Sequence, residues 1–116
     1  MALGQHTVQP SAHRATAGDD WRLGVTLYDG GAAFDASGAS INAYVLDRDR
    51  ERVLGPVAQS SNTTGADWAT GVVVVAVAAA LTEGVAAADD LVVELQVTKS
   101  GVQRSWRFGL DVAGLL

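Results

Sequence analysis

The chain has 116 residues, no Cys and a formal net charge of −5. That length fits one domain, and the lack of Cys excludes disulfides and thiolate metal sites. The acidic balance argues against a nucleic-acid backbone or an anionic membrane as the main partner, because both require clustered Lys and Arg. Hydrophobic residues make up 48% of the chain but aromatic ones only 6%, so a few large rings must carry much of the packing.

The first stretch, Met1 to Ala17, is polar and weakly patterned. It lacks the charged-then-apolar order of a secretory signal. Alone, such a segment buries too little surface to stay ordered. It reads either as a disordered leader or as a flexible arm that orders on a neighbouring subunit. In the second case Leu3, Val8 and Pro10 supply its apolar contacts. The domain proper is then expected over residues 18–116, with the arm over residues 1–17.

From Asp20 to Tyr28 the apolar residues alternate: Trp21, Leu23, Val25 and Leu27 share one face. A period of two is the mark of a strand with one buried face. Asp29-Gly30-Gly31 is a turn signal. Phe34 and then Asp35-Ala36-Ser37-Gly38 suggest a short edge segment and a second turn. Ser40 to Leu46 is the next strand, with Ile41, Ala43 and Val45 on one face. Asp47 to Arg52 alternates in sign and reads as a solvated hairpin tip whose charges neutralise one another. Val53 to Val57 returns, with Pro56 marking an edge. Gln59 to Asp67 is a polar loop.

Trp68 to Val77 is a strand candidate. Its Val72-Val73-Val74-Val75 run is continuous, which fits a strand covered on both faces by this domain or by a second subunit. The apolar run from Val72 to Leu81 is about ten residues, half of what a membrane-spanning helix needs. Ala78 to Gly84 fits one helical turn. Leu91 to Thr98 and Val102 to Val112 alternate strictly around Lys99-Ser100-Gly101, with Arg104 the one misfit on the apolar side. That pattern is an antiparallel hairpin with a three-residue connection. About six to eight strands at intervals of about ten residues imply an all-β fold: a single antiparallel β-sandwich, immunoglobulin-like or jelly-roll-like.

No residue set points to catalysis. His6 and His13 both lie in the weak leader, and catalytic groups need a rigid frame. Asp47, Asp49 and Glu51 have the spacing that opens a calcium loop but lack its later Gly and Glu, and the interleaved arginines repel a cation. Asp19-Asp20 and Asp89-Asp90 would face opposite sides of a strand. Catalytic, cofactor and metal residues are therefore expected to be none. Trp21 and Trp106 fall on apolar faces. Trp68, after a polar loop, is the freest of the three.

One resemblance goes further. Gly18-Asp19-Asp20-Trp21 opens a strand, Leu23-Gly24-Val25-Thr26-Leu27, followed by an Asp29-Gly30 turn and by Phe34-Asp35-Ala36-Ser37-Gly38-Ala39. Leu81-Thr82-Glu83-Gly84 precedes a further strand, and a hairpin closes the chain. Over residues 18–113 this order resembles the small β-sandwich domains of tailed-bacteriophage virion proteins and of phage-like gene transfer particles, such as the N-terminal domains of baseplate upper proteins. The resemblance implies a non-enzymatic structural protein made in the host cytoplasm without a signal peptide and located in the particle. No fibre shaft follows the sandwich before Leu116, which implies an adaptor or base for a spike, fibre or baseplate component. Its partners would be capsid, tail or fibre subunits and further copies of itself, with neither nucleic acid nor membrane. Val72, Val73, Val74 and Val75, with Leu3, Val8 and Pro10, are the expected interface residues. The competing expectation is a carbohydrate- or receptor-binding module using Trp68 and Tyr44.

Overall fold

Among the described residues the chain forms nine strands. They are β1 (His6–Gln9), β2 (Ala12–Thr16), β3 (Trp21–Asp29), β4 (Ala32–Ala33), β5 (Ser40–Leu46), β6 (Arg52–Ala58), β7 (Val72–Val77), β8 (Ala88–Lys99) and β9 (Val102–Ala113). A 3₁₀ turn, Trp68–Thr70, and one helical turn, α1 (Ala79–Thr82), flank β7. The structure is a computed structural model and describes residues 6–114. Among the described residues no helix is long and apolar enough to cross a membrane.

The strands form two sheets. In one, β3 lies between β1 and β7, with β4 beside its far end. The other runs β2-β9-β8-β5-β6. All pairings are antiparallel except β2 with β9, which is parallel. A β1-β3-β7 sheet facing a β9-β8-β5-β6 sheet follows the A-B-E and G-F-C-C′ order of immunoglobulin-type sandwiches.

The inner faces interlock as the alternation requires. Trp21, Leu23, Val25 and Leu27 of β3 meet Val73, Val75 and Val77 of β7 and the inward residues of β8 and β9, all in one buried cluster. Trp106 is fully buried and its indole Nε1 donates to the Tyr28 carbonyl at 2.9 Å. Trp21 Nε1 donates to the Thr16 carbonyl at 2.9 Å. Each of these bonds spares a buried indole N–H the cost of its desolvation. The hydroxyl of Thr82, also fully buried, accepts from Gly18 N–H and donates to the Asp19 carbonyl, tying α1 to the β2–β3 turn.

The expected flexible arm is corrected by this architecture. His6–Gln9 pairs with β3 and Ala12–Thr16 pairs with β9, so the chain crosses from one sheet to the other near Pro10. Backbone pairing anchors a segment that its side chains alone could not hold. Val8 is buried within the core and Pro10 is exposed at the bend. The domain therefore begins well before Gly18. Leu3 lies outside the described residues.

Two smaller expectations also change. Trp68 belongs to the 3₁₀ turn, and the strand starts only at Val72. Lys99 pairs with Val102, so the last hairpin turns on two residues, Ser100 and Gly101. Both have positive φ, as a type I′ turn requires.

Candidate functional site: the outer face of the five-stranded sheet

Ala43, Val45, Val93, Leu95, Trp106 and Phe108 point inward, so their chain neighbours point out. Tyr44 of β5, Glu94 of β8 and Arg107 of β9 thereby form one row across the outer face. Glu94 Oε2 accepts from Arg107 Nε at 2.8 Å and lies 2.6 Å from Arg107 Nη2. Gln96, two residues along the same face, donates to Glu94 Oε1 at 3.1 Å. Although it occupies an outward position, Glu94 is only 7% exposed. Burial alone would raise its carboxyl pKa. The hydrogen bonds from Arg107 and Gln96, with the Arg107 and Arg52 charges, outweigh this and hold it below its ordinary value. Glu94 is thus a fixed carboxylate that orients Arg107, and both its oxygens are engaged.

Tyr44 is held from above. The Arg52 guanidinium lies 4.0 Å from its ring centroid, a cation–π contact. At Gly55 of β6 the φ is +114°, and a Cβ there would come within 2.6 Å of the Ala43 carbonyl and 2.9 Å of Tyr44 Cδ1. Only Gly lets β6 press so closely on β5.

The next row holds Leu46, Val92 and Gly109. Beyond Gly109 comes β2, with Gly109 N–H donating to the Ser11 carbonyl at 2.8 Å. Because Gly109 has no side chain, the row ends in a hollow of about 270 Å³. Ser11, Arg50, Val92, Arg107, Phe108 and Gly109 line it. Two of these are arginines and none is acidic.

Arg50 reaches the hollow from the β5–β6 loop. Asp47 organises that loop: its carboxylate accepts from Asp49 N–H and Glu51 N–H, each at 2.9 Å. Arg50 N–H donates to the Asp47 carbonyl and Asp47 N–H to the Glu51 carbonyl, both at 2.9 Å. Arg50 itself sits at φ +64°, a left-handed conformation that Gly or Asn usually fills. The expected self-neutralising tip is corrected here. Among the described residues no ion pair forms within residues 47–52: Arg48 lies near Asp90, Arg52 covers Tyr44, and Arg50 lines the hollow.

The expected interface does not come together as one surface. Val73 and Val75 are buried in the core, while Val72 and Val74 are half-buried on the other flank of β7. The chain's own loop accounts for that flank. A Cβ at Gly65 would lie 3.6 Å from Val74 Cγ2. Val72 exchanges two backbone hydrogen bonds with Asp67. Gln59 closes the edge like a short strand: Ala76 N–H donates to its Oε1 at 2.8 Å, and its Nε2 donates to the Ala76 carbonyl at 3.2 Å.

Trp68 is buried and Tyr44 is 8% exposed beneath Arg52, so neither offers an open ring face to a sugar. Arg104, the misfit of the last strand, lies with its guanidinium 5.2 Å from the Phe34 ring centroid and 3.9 Å from an Asp29 carboxylate oxygen. With His6 stacked on Trp106 at 4.6 Å, it closes one end of the core. Among the described residues no group of three or more acidic, His or Cys side chains is placed to hold a metal ion.

No protein-family model matches the chain, and no curated protein matches it. Sequence reasoning alone passed over the Tyr44–Glu94–Arg107 row. The signal was available, since each lies at an outward position of an alternating strand, but joining them required the strand order.

Proposed function

We propose that this chain is a non-catalytic adaptor domain of a phage or phage-like particle. It docks another virion component through the outer face of its β2-β9-β8-β5-β6 sheet. One observation carries this reading: Glu94 and Tyr44 are buried at outward positions, locked by Arg107, Gln96 and Arg52. The solvent face of a sandwich sheet is ordinarily polar and open. A carboxylate there is desolvated, and the bonds from Arg107 and Gln96 that outweigh this burial hold the row in place. The result is a rigid face on which Arg107 stands half-exposed, and Arg is among the residue types that dominate binding energy at protein interfaces. The particle setting rests on the resemblance over residues 18–113. Immunoglobulin-type sandwiches serve many functions, so the fold alone carries none of this.

The test is incorporation of the tagged chain into particles. Ser105→Glu puts a carboxylate on this face beside the locked row, and Arg22→Glu alters an exposed position on the opposite sheet. Both variants should keep the wild-type circular dichroism spectrum. Ser105→Glu should lower incorporation tenfold or more, and Arg22→Glu should not. Equal incorporation of all three proteins would reject the docking face.

A further inference from the structure

We propose that the hollow between Arg50 and Arg107 is an anchor pocket for the acidic side chain of a partner protein's peptide segment. This deepens the docking reading and rests on it. Three features of the hollow point the same way.

The first is charge. Two guanidinium groups line it and no carboxylate does, on a chain whose net charge is −5. Arg107 is already oriented by Glu94 and remains half-exposed. Arg50 makes no ion pair among the described residues. A carboxylate entering between them would meet Arg107, already oriented, and Arg50, which has no ion pair of its own among the described residues, and hydrogen bonds between two charged groups are the stronger class.

The second is strain. Arg50 occupies a left-handed conformation that disfavours a long L side chain, in a loop pinned by Asp47. Strain of this kind concentrates at binding sites. A residue needed only for solubility would sit there more easily as Gly or Asn.

The third is size and lining. Val92 and the bare backbone of Gly109 floor the hollow, which suits an aliphatic stem below a charged head. At about 270 Å³ it is smaller than the roughly 300–1,000 Å³ of pockets that enclose whole small ligands. It fits a side chain presented by a chain lying across the sheet. Two arginines are also too few to track a nucleic-acid backbone.

The experiment uses the full ¹⁵N-labelled chain and a blocked pentapeptide probe, acetyl-Ala-Leu-Glu-Leu-Ala-amide. The same peptide with Gln in place of Glu and inorganic phosphate serve as comparison arms. The Glu probe should shift the amide signals of Ser11, Val92 and Gly109 saturably, at millimolar concentration and more weakly in high salt. The Gln probe should bind at least tenfold more weakly. Arg50→Gln should weaken the Glu probe tenfold or more. Gly109→Val should do the same by filling the floor while leaving both arginines in place. A Cβ at Gly109 meets nothing closer than 3.6 Å, so that strand position accepts a side chain.

Equal shifts with the Glu and Gln probes, or tighter binding of phosphate than of the Glu probe, would overturn the pocket. If the Glu probe fails while Ser105→Glu still blocks incorporation, the docking face stands and the anchor falls. If the Glu probe binds through Arg50 while Ser105→Glu and Arg50→Gln leave incorporation unchanged, the pocket stands and the docking face falls.

Discussion

Replacing Arg50 by Gly should make the domain more stable, against the usual direction for a mutation. At φ +64° the left-handed backbone costs a non-Gly residue about 1–2 kcal/mol. Gly returns part of this, because it loses up to about 1 kcal/mol more backbone entropy on folding. Little else changes, since the side chain is exposed and forms no ion pair among the described residues. The net gain is about 0.5–1 kcal/mol, a rise in Tm of about 2–6 °C for a domain of this size. Differential scanning calorimetry at fixed pH and salt measures it. Arg50→Ala is the control, as it removes the charge and keeps the strain, so its Tm should match wild type. An Arg50→Gly variant melting no higher than wild type would refute the reasoning. A rise shared equally by Arg50→Ala would trace the gain to charge instead.

Trp106→Ala should cost about 3–5 kcal/mol and yield unfolded or insoluble protein. Trp106→Phe, which keeps a ring but strips the Tyr28 carbonyl of its donor, should fold with a loss of about 1–3 kcal/mol in urea titration. Glu94 makes stability acid-sensitive, and its sign follows from its depressed pKa. Its contribution is complete above the ordinary value of 4.5 and is lost as pH falls through the lower folded value. Chemical denaturation across pH 2–6 should show an acid limb that Glu94→Gln flattens. Gln59→Ala removes the amide bridge to Ala76 and uncovers the β7 edge. It should cost about 1–2 kcal/mol and give concentration-dependent self-association on gel filtration, since an open strand edge recruits other strands.

Alternation made the strand faces legible: the inward sets of β3, β8 and β9 are those the period of two selects, except Val102, which is half-exposed beside the last turn. Pairing between distant segments was not legible. His6–Gln9 and Ala12–Thr16 carry little apolar pattern, and they are ordered by ladders to β3 and β9 that no local window contains. The valine run marks a strand covered on both faces, but what covers it was not legible. It is covered on its outer flank by residues 59–67, a polar loop whose composition says nothing of where it lies. Arg104 seemed out of place because its partners are distant in sequence: Asp29 at the end of a strand of the facing sheet and Phe34 in the connection after β4. The charges of residues 47–52 alternate in sequence, yet the turn sends the three arginines toward three different surroundings.

The parallel seam between β2 and β9 bears on how the domain carries tension. Ala12 stands opposite Gly109 and Thr16 opposite Ala113, and the Ala17 N–H to Ala113 carbonyl bond extends the seam. A pull applied upstream of β2 and downstream of β9 drags these strands past each other along their length. Every bond of the seam is then strained together, where an antiparallel terminal pair pulled from one end would open bond by bond. Rupture under load is governed by the unfolding rate rather than by equilibrium stability. A short, weakly apolar strand that adds little to the core can therefore set the force at which the whole sandwich gives way.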